Sequence, residues 1–327
     1  CIRDRTMLAF KAASAFQKHC RNCYGPIYSV NELLQTWKEV KCCSKPDPMR
    51  VLWMDIEHCY DGTWAETFGI DNSVIYVTQS EFSEQAIDVA DEIIRSGEVD
   101  LLVLDSVAAM TPTAEITESA EKWQMGLQAR LMNKAMRKWT SAMSAGGATN
   151  FACTIIMINQ YRTNIGGYGP LKTTPGGKGV PFHSSVITDV KRSGMIEIPG
   201  TDLVQGICCE AYHQKNKTAP PFRTATYNVA FRDIDENRRG GSSDFAAQVL
   251  RKAIFWGVAK RAGSWYVLAK GLKYQGIRAA SEALREPANK GLLNMLTKEV
   301  LKRETLWIEG GTVITPAASG NEESPED

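Results

Sequence analysis

Short runs without a polar residue punctuate this chain, and between them apolar residues recur at helical spacing. Residues 101–104, LLVL, have no polar side, which predicts a strand buried on both faces, because a strand with one wet face would alternate. The run stops at Asp105-Ser106. In an open α/β sheet, ligands sit beyond the carboxyl ends of the strands, so a carboxylate there faces the crevice and can hold Mg²⁺; capping of the following turn is the blander reading. Two further runs end alike, residues 51–54 in Asp55-Ile56-Glu57-His58 and residues 154–158 in Asn159-Gln160-Tyr161-Arg162. Three buried strands that each close on polar groups predict one site along one edge of one sheet.

An apolar stripe through Leu8, Ala12 and Phe16 predicts a helix over 5–19, and residues 81–97 and 124–143 read as amphipathic helices. From Val51 to about Thr226 the order is strand, helix, strand, helix, strand, long loop, strands, which predicts an α/β core with a mostly parallel sheet flanked by helices. Residues 163–180, TNIGGYGPLKTTPGGKGV, are rich in glycine and proline and poor in apolar residues. A loop that long inside a compact domain is functional or disordered. Its GPLKTT imitates a phosphate loop, but Leu171 stands where the essential glycine belongs. Residues 243–310 read as a small α+β domain: a helix over 244–256, a short strand pair around 265–267 and 272–274, then helices rich in Lys and Arg. The tail, 311–327, carries Glu322, Glu323, Glu326 and Asp327 among small polar residues and is expected to be disordered.

Composition narrows the function. A chain of 327 residues, 43% hydrophobic, can fill a main core and a smaller neighbour. With a net charge of +1 there is no global positive field, so a nucleic-acid partner would have to be met by local basic loops. The apolar runs are too short for a membrane span, and no charged-then-apolar leader opens the sequence. Nine scattered cysteines, an odd number, argue for a reducing compartment and for thiols or metal ligands over disulfides.

Residues 19–50 form a cysteine-bearing insertion with Cys20-Arg21-Asn22-Cys23-Tyr24-Gly25 and then Cys42-Cys43. The first block is similar to one knuckle of a zinc ribbon, and Cys42 with Cys43 would complete a tetrahedral set for a structural Zn²⁺. Adjacent side chains diverge on an extended chain, so His19 or Cys59 is an alternative fourth ligand; unliganded thiols and a redox pair are the other readings. The insertion is otherwise too polar to fold alone.

The blocks DIEHCYDGTW, RSGEVDLLVLDSVAAMTPTAEI, MGLQARLMNKAMRK, INQYRTNIG, TTPGGKG and KNKTAPPF occur in the order found in the RecA recombinases, and the chain resembles a divergent, viral-like member from about Arg5 through residues 263–266. The resemblance implies a RecA-like P-loop NTPase core over 1–242 that uses ATP and Mg²⁺. It implies that Glu57 orients or deprotonates the attacking water, that Asp105 and Ser106 serve the magnesium shell, and that Asp61 and Trp64 hold the adenine. Gln160 would sense the γ-phosphate, and Lys215 and Lys217 would reach the nucleotide of a neighbouring subunit. Core packing for Trp64, a solvated strand edge for the two lysines and a core amide for Gln160 are the plain alternatives.

Two DNA-binding loops are implied as well. The first, around 115–124, leads through Met125 and Gly126 into a helix bearing Arg130, Asn133 and Arg137; Met125 could wedge between bases. The second, 163–180, follows Arg162 and carries Lys172, Thr173, Thr174, Gly176, Gly177 and Lys178. Glycine lets backbone N–H groups approach phosphate, while hydroxyls and cations add donors and charge, so binding should tolerate any base sequence. For Arg130 and Arg137 the alternative is exposed helix charge.

The chain also departs from the family pattern. No G-x-x-x-x-G-K-[ST] occurs in it; Arg5-Thr6 stand where Lys-Thr is expected, Asp4 where a glycine is, and Pro181 where the family has a lysine. A truncated chain, a degenerate phosphate loop and the downstream product of a split or spliced gene, suggested by Cys1, remain open accounts. The expected function is an ATP-dependent recombinase that coats single-stranded DNA as a homo-oligomeric helical filament. That filament would exchange its strand into homologous double-stranded DNA during recombination and repair, in the cytoplasm of a bacterium or an infected host cell. The small domain would gather duplex DNA, with the acidic tail competing for it. A non-hydrolysing paralogue that binds DNA and modulates an active filament is the rival, and a ring-forming helicase on the same core a third reading.

Overall fold

The computed structural model describes residues 2–31, 36–117, 126–145, 153–163, 172–198, 201–234, 240–241, 244–268 and 271–308. Helix α1 (Ile2–Gln17) precedes a two-stranded sheet of β1 (Tyr28–Asn31) and β2 (Thr36–Glu39). Strand and helix then alternate: β3 (Val51–Asp55), α2 (Gly62–Thr67), β4 (Ile75–Thr78), α3 (Ser83–Ser96), β5 (Leu101–Asp105), α4 (Thr113–Thr117), α5 (Leu127–Ala145) and β6 (Thr154–Met157). The short β7 (Arg162–Thr163) and β8 (Lys172–Thr173) pair antiparallel, and α6 (Gly179–His183) follows. Three long strands come next, β9 (Val186–Glu197), β10 (Val204–Asn216) and β11 (Thr224–Ala230). The last stretch holds α7 (Phe245–Phe255), β12 (Lys260–Ala262), β13 (Trp265–Val267), β14 (Lys273–Gln275), α8 (Gly276–Arg285) and α9 (Lys290–Ile308).

The central sheet is parallel, in the order β4-β3-β5-β6. Every residue of β3 and β5 is buried, which is why neither run alternates in sequence. Successive side chains enter two separate cores. Leu52, Met54, Leu102 and Leu104 meet α3 and α5 through Ile87, Ala90, Met132, Met136 and Trp139. Val51, Trp53, Leu101 and Val103 meet α1 and α2 through Met7, Phe10, Ala13, Ala65 and Phe68, with Phe10 stacked on Trp53 at 4.6 Å between ring centres. Each such large apolar side chain contributes about 1.5–3 kcal/mol on burial, so sandwiching the sheet between helices fixes its register. In that register Val51 lies opposite Leu101 and Asp55 opposite Asp105, so the polar tips line up along one edge.

The strands after residue 185 do not extend the parallel sheet. They form an antiparallel sheet, β11-β10-β9, whose Ile207, Cys209 and Val229 join the core under α1. Short connections between consecutive strands permit only antiparallel pairing, since a parallel partner needs a crossover of a dozen residues or more.

The chain divides into two compact units: residues 1–30, 37–234 and 239–242, and residues 31–36, 235–238 and 243–327. The second has its own core around Leu250, Ala253, Tyr266, Leu284, Leu293 and Leu296. Asp244 caps α7 by accepting from Ala247 N at 3.1 Å and pairs with Arg285. Its sheet has three strands, β12-β13-β14, where the sequence predicts two; β12, Lys-Arg-Ala, is exposed throughout and carries no apolar signature. Among the described residues no helix is long and apolar enough to cross a membrane.

Candidate nucleotide site and nucleic-acid interface

The loop after β3 is wrapped around Asp55. This buried carboxylate accepts from Cys59 N and Tyr60 N, each at 3.0 Å, and from Gln79 Nε2 at 2.9 Å. Ile56 N and Glu57 N donate to the carbonyl of Asp105, which binds the loop to the neighbouring strand tip. Glu57 is thereby held over the edge of the sheet. Its Oε1 accepts from the Ser106 hydroxyl and, at 3.3 Å, from Gln160 Nε2, so the ends of β3, β5 and β6 converge on one oxygen. The Asp105–Ser106 peptide bond is cis.

Beside this group, Asp105 is 5% exposed. Its Oδ2 accepts from the Thr6 hydroxyl at 3.0 Å, whereas Oδ1 is buried and, among the described residues, has no hydrogen-bond partner. Burial pushes the Asp105 carboxyl up to about 6; the Thr6 hydrogen bond works against that rise, and the charges of Glu57 and Asp55 add to it. A buried oxygen without a partner, next to two hydroxyls and within a field of carboxylates, fits a hard divalent cation such as Mg²⁺, which takes oxygen ligands only. The set could also position and polarise a water through Glu57.

A relay runs from this edge into the glycine-rich segment. Gln160 N donates to its neighbour's side-chain oxygen, Asn159 Oδ1, at 2.8 Å, and Asn159 Nδ2 donates to Pro175 O at 2.9 Å. The following glycines sit against α5. Gly177 has φ +68°, and a Cβ on it would lie 2.7 Å from Ala129 Cβ; a Cβ on Gly179 would lie 1.7 Å from Asn133 Oδ1. Only glycine allows so close an approach. Gln128, in the first turn of α5, donates through Nε2 to Val107 O at 3.0 Å and Met110 O at 2.9 Å, which fixes the segment leaving β5. Met110, Glu115, Gly126, Ala129, Arg162 and Gly177 border one pocket between these segments.

A sequence model described as the RecA N-terminal domain matches residues 22–234. Curated relatives include the protein named RecA of Nocardioides sp., 38% identical over 77% of this chain and 68% of its own length, and that of Thermus aquaticus, 38% identical over 77% and 69%. The RecA of Fusobacterium nucleatum is 37% identical over 66% of this chain and about half, 53%, of its own length. The chain belongs to the RecA family.

Glu57, Asp105, Ser106, Gln160 and Thr6 come together at the strand tips. Arg5 lies with them, and its Nη1 donates to the carbonyl of Asn159, so it is engaged at the tip of β6. Asp61 and Trp64 lie on the adjoining α2. Asp61 is its N-cap, accepting from Trp64 N at 3.1 Å, and the half-buried Trp64 packs edge-on to Phe68 at 5.1 Å. Lys215 Nζ donates to Pro181 O at 2.7 Å and Phe182 O at 3.3 Å, holding α6 within the same chain, while Lys217 is exposed.

On the predicted nucleic-acid side, Gly126, Arg130, Arg137, Arg162, Lys172, Thr173 and Lys178 are exposed, with Lys172 Nζ 5.7 Å from the centre of the Tyr161 ring. Thr174 is half-buried and Gly176 is buried against Val107 and Val180. Asn133 is half-buried: it approaches Gly179, donates to Ala129 O at 2.8 Å, and borders a pocket with Arg130, Arg137 and His183. Met125 lies outside the described residues, as do 118–124 and 164–171. Cys20, Cys23, Cys42 and Cys43 form a separate cluster away from His19, which binds Ala15 O, and from Cys59, which donates to Glu57 O.

Sequence reasoning gave Gln128 no role, although an amide on the same helix face as the apolar Met132 is a signal of a buried hydrogen bond; it placed Asn159 among the polar strand ends without its partner, the carbonyl of Pro175.

Proposed function

We propose that this chain is an ATP-dependent recombinase that coats single-stranded DNA as a helical filament and pairs it with homologous double-stranded DNA, in the reducing cytoplasm of a bacterium or an infected host cell. The observation that carries the reading is the Glu57 carboxylate, held at once by Ser106 and Gln160 beside the buried Asp105. Thr6, Asp105 and Ser106 would hold Mg²⁺ with ATP, and the ion when bound neutralises phosphate charge. Glu57 takes or orients the proton of the attacking water. Asp61 and Trp64 offer an acceptor and a ring face for adenine, and Arg5 lies near enough to the edge to turn to phosphate.

Gln160 links Glu57 to Asn159 and so to Pro175, and through these bonds a change at the nucleotide edge would reach Pro175 and the glycines that follow it. Arg130, Arg137, Arg162, Lys172 and Lys178 would supply charge to the DNA backbone there, and the backbone of Gly126 and Gly177 would allow close approach, while the buried Gly176 packs the loop against Val107 and Val180. Lys215 would leave the carbonyls of Pro181 and Phe182, and with the exposed Lys217 would reach the next subunit's nucleotide when a filament forms. The second compact unit would collect duplex DNA.

Formation of joint molecules between single-stranded and homologous duplex DNA tests this reading, together with the affinity for single-stranded DNA with and without a slowly hydrolysed ATP analogue. Tighter DNA binding with the analogue and joint molecules that need homology support it. DNA binding that ignores nucleotide, with no joint molecules, would instead mark a filament-modulating paralogue.

A further inference from the structure

We propose that Cys20, Cys23, Cys42 and Cys43 hold one structural zinc ion, and that Arg21, inside the first knuckle, couples this zinc module to the starts of β3 and β5. The four Sγ atoms all lie within 4.8 Å of one another, with Cys20 to Cys43 at 3.7 Å and Cys42 to Cys43 at 3.9 Å. A tetrahedron of Zn–S bonds of about 2.3 Å places sulfurs about 3.8 Å apart, whereas a disulfide needs about 2.05 Å. Four sulfurs around a common point, without an oxygen ligand among them, suit a soft or borderline ion.

The backbone is folded as such a knuckle requires. Tyr24 N donates to Cys20 O at 2.8 Å and Cys20 N to Gly25 O at 2.9 Å, with Tyr24 at φ +57° turning the chain back. A Cβ on Gly25 would lie 3.4 Å from Cys23 Sγ and 3.6 Å from Cys42 Cβ, so the loop passes against both halves of the cluster. Asp47 N–H is directed at Cys20 Sγ at 3.5 Å, the kind of outer contact that orients a thiolate ligand. Among the residues of 19–50 whose side chains are described, Ile27 and Met49 are the buried apolar ones besides Cys20, and a metal would add to what they contribute.

The module is tied to the sheet at the end away from the nucleotide edge. Arg21, almost fully buried, pairs with Asp100 at 2.9 Å, and its Nη2 donates to Gly97 O. Asp100 also accepts from Arg50 N at 2.8 Å, so one carboxylate joins the knuckle to the residues immediately before β3 and β5. Cys20 itself bridges to Pro48, and Met49 N donates to His19 O. Zinc held here would fix the entry of both strands whose other ends carry Glu57 and Asp105.

Metal analysis of the purified full chain tests the site. About one zinc per chain, released in step with titration of the cysteines by a mercurial reagent, is expected. Cys23→Ser and Cys42→Ser should lose the ion and Cys59→Ser should keep it. If the variants fail to fold, cobalt(II) exchanged into the unmodified chain should give the spectrum of a tetrahedral tetrathiolate. Iron in place of zinc, a disulfide within the cluster, or four freely titrating thiols without metal in the folded chain would overturn the proposal. Amide exchange reads the coupling: removing zinc from the folded chain should speed exchange at residues 18–27, 47–50 and 100–101. Unchanged exchange at 100–101 would overturn the role given to Arg21.

Discussion

The hydroxyl of Thr6, on the first helix, donates a 3.0 Å hydrogen bond to Oδ2 of Asp105, 99 residues further along the chain. The contact sets the first turns of α1 against the strand tips where Glu57, Ser106 and Gln160 meet. It leaves the second carboxylate oxygen buried and, among the described residues, without a hydrogen-bond partner. Thr6→Val should weaken Mg²⁺-dependent nucleotide binding about tenfold or more, since it removes a hydroxyl from both the carboxylate and the ion, while Thr6→Ser should retain it. Titration with a fluorescent ATP analogue, with and without Mg²⁺, checks this; equal affinity in Thr6→Val would remove the hydroxyl from the magnesium site.

Gln160 spans the nucleotide edge and the glycine segment. Gln160→Ala should therefore leave DNA-independent hydrolysis within a few-fold of the parent while abolishing its stimulation by single-stranded DNA. A variant that is still stimulated would show that the signal does not pass through this amide.

The Gln128 amide serves the carbonyls of Val107 and Met110. Replacing it by Leu keeps the volume and strands those acceptors, which should cost about 1–3 kcal/mol and speed amide exchange between residues 107 and 111 before it affects the rest of the sheet. Chemical denaturation and exchange mass spectrometry together read the effect; a loss spread evenly over the whole unit would argue against a local clamp.

If α5 faces the phosphate backbone, Arg130→Ala and Arg137→Ala should each reduce the salt dependence of single-stranded DNA binding by about 0.7 in log–log slope, alike for all sequences. Asn133→Ala should leave that slope unchanged, because its side chain packs against Ala129 and Gly179. Unaltered slopes in the arginine variants would return those residues to plain surface charge.

Lys11 lies half-buried beside the Phe68 carbonyl and ring, and burial lowers its ammonium to about 8. Between about pH 8 and 10.5 the unfolded chain holds a proton that the folded chain has released, so this group makes stability rise with pH across that window. Lys11→Met should flatten the rise and stabilise the chain below pH 8 by on the order of 1 kcal/mol, discounted for the residue's partial exposure. Denaturation at pH 7 and pH 10 measures it; a parallel shift at both values would place the effect in packing alone.

Much of this architecture is legible in the sequence wherever burial is two-sided. Residues 51–54 and 101–104 read as central strands because neither face meets water, and the residues just past them read as a site because strand tips are where such sheets expose polar groups. The cysteine cluster was legible from knuckle spacing even though Cys42 and Cys43 are adjacent. What escaped depends on backbone partners or on absent patterning: Gln128 binds carbonyls, the partner of Asn159 is the carbonyl of Pro175, and β12 has no buried face.

The central claim is that the Glu57 edge turns over nucleotide under the control of DNA. Magnesium-dependent ATP hydrolysis by the 327-residue chain, with and without single-stranded DNA and beside Glu57→Gln, tests it most directly. The account predicts hydrolysis that single-stranded DNA stimulates and that Glu57→Gln lowers about 10²–10⁴-fold with DNA binding intact. Hydrolysis that is absent, or that persists unchanged in Glu57→Gln, would contradict it.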